Sequence, residues 1–247
     1  PVGPRQFVEN RQLRDGSFLS VYNELYHPAN GANHISIFLS PLLNSQGIVG
    51  VKAGKWTVRL HGQEVRDGKF DAWIERDDPV RVGVADNREA WRFPSYLSER
   101  SNVDDSSVGS LACGQRIISV ANLDEARGRI HISSSQGPTR DGRSKPDVAA
   151  PGTGVVAARG FSADPEKRWL AMTGTSMASP FVTGVVGLML AKERQLTAAQ
   201  VEGIIRRTAR PLPGADFRWA NDAGFGQIDP EACIREAGLL FAREDRT

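Results

Sequence analysis

Cysteine and histidine are scarce in this sequence, two and four among 247 residues. Cys113 and Cys233 lie far apart and fit no C-x-x-C pattern, which argues against a cysteine metal site and leaves open one disulfide or two separate buried thiols. No apolar stretch approaches the roughly 18 residues of a membrane span, so no membrane partner is expected. An excess of charge of one sign is also missing. The 31 basic and 29 acidic residues leave a net charge of +2 with no long block of like charge, which argues against nucleic acid as a partner. The first residues, Pro1-Val2-Gly3-Pro4-Arg5, are neither an initiator methionine nor a signal peptide and have the look of a cut end. What remains is an ordinary globular composition, 40% hydrophobic and 24% charged, long enough for one large domain or two smaller ones.

Residues 1–97 read as short strands between turns. Ile35, Ile37 and Leu39 alternate with His34, Ser36 and Phe38, the period of a strand with a buried face. Residues 55–65 set Trp56, Val58 and Leu60 against Lys55, Thr57 and Arg59; Asp67-Gly68 then turns into residues 69–75, which predicts a hairpin. Pro79, Gly83 and Pro94 punctuate the stretch beyond it. An antiparallel β sandwich or jelly roll is the expected class for this part.

From about residue 98 the pattern becomes α/β. The run 116–121, with Ile117, Ile118 and Val120, suits a strand covered on both faces, and 147–150 and 155–158 are similar fragments. Residues 180–192 are apolar nearly all round and predict a helix buried on every side. Thr197 with Gln200 forms a capping box ahead of Val201, Ile204 and Ile205. A last short helix is expected over 230–236, and the tail 243–247 is expected to fray. The chain thus reads as two domains, 1–97 and 98–247.

The chemistry concentrates at Gly174-Thr175-Ser176-Met177-Ala178-Ser179-Pro180. A serine hydroxyl attacks a carbonyl only when a base takes its proton and donors hold the oxyanion. Gly174 permits a tight turn into the helix, and Pro180 suits a first helical turn where its missing N–H costs nothing. Ser176 at a helix N-terminus would carry its own backbone N–H and the positive end of the helix dipole toward an oxyanion.

This run, with Phe181-Val182-Thr183-Gly184 after it, resembles the nucleophile block of the subtilisin-like (subtilase) serine proteases. His131-Ile132-Ser133-Ser134-Ser135-Gln136-Gly137 and Lys145-Pro146-Asp147-Val148-Ala149-Ala150-Pro151-Gly152 resemble the blocks that precede it, and Gly224-Phe225-Gly226 the closing turn. The resemblance covers about residues 98–240. It implies the C-terminal part of a parallel-sheet α/β protease domain with Ser176 as nucleophile and backbone oxyanion donor, and with Thr173, Gly174 and Thr175 near a polypeptide substrate. Thr173 stands where many subtilisins have asparagine, and Phe181 where many have histidine. Calcium is common in the family, but no ligand cluster here has a readable spacing, so no metal residue is assigned. The resemblance favours a location outside the cytoplasm, which nothing in the residues themselves indicates.

Three blocks of the family are missing. None of His27, His34, His61 and His131 stands in an H-G-T-H context; Asp105, Asp124 and Asp147 lack D-[ST]-G; and Asn87 lacks the A-G-N setting of the side-chain oxyanion donor. All three blocks precede the serine in family order, so the expectation is that they lie upstream of Pro1 and that this chain alone is inactive. Family members with a jelly roll inserted before the serine block, including bacterial spore-germination subtilases, match the observed order. An apolar helix deprived of the missing half predicts self-association, partial folding or pairing with an N-terminal fragment. The alternative is a pseudoprotease scaffold whose jelly roll binds a protein, or a carbohydrate through Trp56, Trp73 and Trp91.

Overall fold

The alternation over 34–39 belongs to the last strand of an antiparallel meander, β1 (Gln6–Gln12), β2 (Phe18–Glu24) and β3 (His34–Ser40). The computed structural model describes every residue except 27, 29, 30, 45, 46, 50, 52, 66, 67, 76–79, 86, 87, 93, 94, 99–104, 162, 163, 165–167 and 240–247. His27, Asp67, Asn87 and the tail 243–247 therefore lie outside the described residues. The chain divides into two compact units, Pro1–Phe70 and Asp71–Thr247.

In the first unit, Tyr22 pairs with Phe7 and Ser36, while Val21 pairs with Val8 and Ile37. The period of two therefore sends rings to one face and aliphatic side chains to the other. Tyr22 stacks on Phe7 at 6.2 Å and meets Phe38 edge-on at 5.9 Å. A short antiparallel pair comes next, β4 (Leu42–Asn44) with β5 (Gly47–Val49). The hairpin expected over 55–75 does not form: its described residues carry no strand, and Trp56, Val58, Leu60 and Phe70 stand exposed. The alternation had no layer to bury against, and a lone hairpin is marginal in water. The inserted jelly roll is accordingly not confirmed.

The second unit opens with an antiparallel pair, β6 (Val80–Ala85) and β7 (Arg88–Arg92), whose register shifts between Arg81 and Gly83. Its core lies around β8 (Val120–Asp124), β9 (Arg129–Ile130) and β10 (Val148–Pro151), with β10 parallel to β8 and β9 antiparallel to it. Gln227 adds a parallel bridge to Ala149 on the far side of β10. Val148, Ala149 and Ala150 are wholly buried, as an apolar strand covered on both faces should be. The strand expected at 116–121 starts instead at Val120. The buried side chains of Lys145 and Asp147 take the Ile117 carbonyl and the Ser119 N–H.

An antiparallel hairpin, β11 (Val155–Ala158) with β12 (Trp169–Met172), leads into α1 (Thr175–Lys192). The helix buries Ala178, Val182, Val185 and Met189, one stripe at helical spacing. Phe181 and Leu188, 42% and 56% exposed, lie off that stripe, so the helix is buried on one side and not on all. It packs between β8, β10 and α3 (Pro230–Leu239). Pro180 sits inside the helix, five residues after Thr175, rather than in its first turn, and its missing N–H leaves the Ser176 carbonyl without a helical partner. The capping box forms as expected at α2 (Ala198–Thr208): the Gln200 N–H donates to Thr197 Oγ1 at 3.3 Å, and the Thr197 N–H donates to Gln200 Oε1 at 2.8 Å. Both cysteines are free thiols. Burial pushes the Cys233 thiol up from its ordinary range, partly offset by a hydrogen bond with Thr208. Among the described residues no helix is long and apolar enough to cross a membrane.

Asp147 joins these elements. Its Oδ2 accepts from Lys145 Nζ at 2.6 Å and from the Ser119 N–H at 2.7 Å, and its Oδ1 accepts from Arg206 Nη2 at 2.5 Å. Arg206 also pairs with Glu202 at 2.6 Å and lies over the Phe225 ring at 5.5 Å. Asp147→Ala would strand the buried Lys145 ammonium, and an expected loss of about 3–5 kcal/mol should appear in urea unfolding tracked by circular dichroism. A loss below about 1 kcal/mol would mean that the lysine finds water instead.

Candidate active site

The turn that carries Ser176 is the continuation of β12, laid back on the segment that joins β10 to β11. The Gly174 N–H donates to the Gly152 carbonyl at 2.9 Å, and the Gly154 N–H donates to Thr173 Oγ1 at 2.9 Å. These two bonds hold Thr173-Gly174-Thr175 beside Gly152-Thr153-Gly154. Gly174 takes φ 157° and ψ 169°, a conformation that side chains largely forbid. The Gly174 carbonyl then accepts from the N–H groups of Met177 at 3.0 Å and Ala178 at 3.4 Å, which starts the helix.

Ser176 is the second residue of α1 and is exposed, as are Thr173 and Thr175, while Gly174 is half-buried. The N-cap position of the helix, Gly174, supplies no side-chain cap. The Ser176 N–H lies in the first turn, where an N–H has no intrahelical acceptor and the dipole is positive. The hydroxyl is thus presented to solvent beside a free donor direction, the arrangement that an attack on a carbonyl requires.

Beneath the turn the packing is close. A Cβ on Gly152 would stand 2.6 Å from Asn122 Oδ1, 2.7 Å from the Gly174 carbonyl oxygen and 2.9 Å from Ala178 Cβ. Asn122 is wholly buried on β8, opposite Ala150; its Oδ1 accepts from Thr153 Oγ1 at 3.1 Å and its Nδ2 has no partner among the described residues. Neither residue stood out in the sequence as part of the site. The one available signal is a polar residue inside the apolar run Val120-Ala121-Asn122-Leu123.

The candidate acids and the histidine of this unit are placed elsewhere. A side-chain hydrogen bond from Arg127 holds the Asp124 carboxyl below the usual range against the opposing effect of burial; Arg127 Nη1 donates to it at 2.7 Å. Asp147 lies in the buried ion cluster, and Asp105 is exposed. His131 Nδ1 is 2.9 Å from Ser133 Oγ and accepts from the Ser133 N–H at 3.2 Å, which leaves Nε2 as the protonated nitrogen of the neutral ring. The hydrogen bonds of Asp124, His131 and Asp147 all go to groups other than Ser176. Among the described residues no three His, Cys, Asp or Glu side chains converge to hold a metal ion.

Comparison with known proteins bears on the same region. The model of the subtilase family matches residues 86–226. The chain is 26% identical to the serine protease AprX of Bacillus subtilis over 175 residues, which cover 65% of this chain and 39% of that protein. It is 36% identical to thermitase of Thermoactinomyces vulgaris over 210 residues, 83% of this chain and 68% of that one. Among solved structures, fervidolysin of Fervidobacterium pennivorans is similar at 29% identity, with a TM-score of 0.43 over 51% of this chain and 20% of that one. The chain thus spans about two fifths of the length of AprX.

Gly152→Ala is expected to destabilise the second unit by about 1–3 kcal/mol, because two of the three atoms it would strike belong to the Gly174 backbone and the helix start. A thermal melt checks this, and an unchanged midpoint would show that the turn can move aside.

Proposed function

Because the chain belongs to the subtilase family, we propose that it is the serine-bearing portion of an endopeptidase that cleaves polypeptides through an acyl-enzyme at Ser176. The observation that carries this reading is Ser176 itself, exposed at the first turn of α1 within the G-T-S-M-A-S-P run. Its Oγ attacks the scissile carbonyl, the Oγ proton passes to a base and then to the leaving amine, and a tetrahedral oxyanion forms. The Ser176 N–H donates to that oxyanion with the helix dipole behind it. Water then hydrolyses the ester and restores the hydroxyl. Thr173, Gly174 and Thr175 flank the substrate, although the Thr173 hydroxyl is already engaged with the Gly154 N–H.

The base, its orienting acid and the side-chain oxyanion donor come, in this reading, from a segment outside this sequence that also covers the apolar side of α1 at Phe181 and Leu188. Self-association would cover the same side without supplying a base. In this reading residues 1–97 are an insertion ahead of the serine-bearing part, 98–247, although the compact units divide earlier, between Phe70 and Asp71. Without its base a triad serine loses on the order of 10⁴ to 10⁶ in turnover, so the chain alone should be nearly inert.

A fluorophosphonate probe, which phosphonylates activated serines, tests the assignment. The chain alone should label slowly, co-expression with the upstream segment of its gene should accelerate labelling by at least about a thousandfold, and Ser176→Ala should abolish it. Labelling that survives in Ser176→Ala would place the nucleophile elsewhere.

A further inference from the structure

Asn122 is an anomaly in its strand. β8 sends Ala121 and Leu123 into a small apolar cluster with Ala149 on one face, and Val120 toward the large core beneath α1 on the other. Asn122 comes two residues after Val120, so it too faces the helix. There it is 0% exposed, and its amide nitrogen donates to nothing among the described residues. A buried donor without an acceptor is a standing cost that an apolar residue would not carry. Stability therefore does not explain the asparagine.

Its position does. Asn122 Oδ1 and the Gly174 carbonyl converge on the same point above Gly152, 2.6 and 2.7 Å from where a Cβ would lie. The same amide oxygen accepts from the Thr153 hydroxyl at 3.1 Å. Gly152 in turn accepts the Gly174 N–H. Asn122, tied to Thr153, and the Gly174 carbonyl thus both border the space at Gly152 where a Cβ would lie. We propose that Asn122 is a positioning residue for the nucleophile: held by Thr153, its amide sets the height and tilt of the Gly174–Ser176 turn over β10, and it does so at the expense of an unpaired donor. The proposal rests on Ser176 as nucleophile for its functional meaning, but the restraint itself can be measured without catalysis.

The test is amide hydrogen exchange, read by mass spectrometry on the full 247-residue chain. Asn122→Ala should speed exchange over residues 174–178 by roughly tenfold, the equivalent of one restraining hydrogen bond, while the thermal midpoint does not fall. Thr153→Val, a half-buried position that can be changed without opening the core, should act in the same direction. The double variant should add little to Asn122→Ala, because both changes remove the same restraint. In the complemented enzyme the fluorophosphonate reaction should show a lower maximal inactivation rate with an unchanged half-saturating concentration. Unchanged exchange at 174–178, or exchange that rises throughout the unit with a falling midpoint, would overturn the proposal, the latter by showing a merely structural role. If the complemented wild type does not label, the assignment of Ser176 fails, and exchange still decides the role of Asn122.

Discussion

A carboxylate withdrawn from water must be met by cations or N–H groups, or it will not stay charged and buried. Asp147 is met by Lys145, Arg206 and the Ser119 N–H, and its backbone carbonyl accepts from the Phe225 N–H at 3.0 Å. Those contacts tie four parts of the second unit to one residue: the approach to β8, the start of β10, the helix α2 and the closing turn at Gly224–Gly226. The next three residues, Val148, Ala149 and Ala150, are wholly buried. The strand ends at Pro151, and Gly152 lies next, still buried, against the Gly174 turn.

The site is therefore a cantilever. Its anchored end is the ion cluster at Asp147, and its free end is the pair of loops at Gly152–Gly154 and Thr173–Thr175. Rigid packing transmits position along such a short buried strand, because cores at crystal-like density have little room to shear. Ser176 gains precision from this without making a side-chain contact to the cluster. In the proposed function this geometry supplies half of a reaction, the Ser176 hydroxyl and an N–H at the first turn of α1. Proton transfer needs a base, and the histidine of this unit, His131, is turned to Ser133.

The exposed apolar residues of α1 belong to the same picture. The helix is apolar nearly all round but buried on one side, so Phe181 and Leu188 leave an apolar face exposed. A partner that covered Phe181 and Leu188 would lie along the helix whose first turn holds Ser176. Under the proposed function, one segment would both supply the base and cover the helix.

Local chemistry was legible from the residues alone wherever one contiguous run decides the outcome. The G-T-S-M-A-S-P run placed Ser176 at a helix start, Thr197 and Gln200 set a capping box, and Ile204 and Ile205 marked a buried stripe, because caps, turns and helical periodicity depend on neighbours within four residues. The period of two at 34–39 likewise became β3, although the buried face it promised is absent there, with Ile35, Ile37 and Phe38 all exposed. The same period failed at 55–75, where alternation promised a buried face and no layer arrived to bury it. Strand 116–121 shifted to 120–124 because two distant side chains captured its backbone groups, and Pro180 moved inward because the helix began at Thr175, ahead of the apolar run. The place of Asn122 and Gly152 beneath the turn could not be read from the sequence, although Asn122 interrupts an apolar run and Gly152 stands in a family-like block. They lie 54 and 24 positions before Ser176, and only the pairing of β8 with β10 and the fold of the β11–β12 hairpin bring them beneath it. Short-range order is set by the covalent neighbourhood; which polar atom lies under a nucleophile is decided by long-range packing.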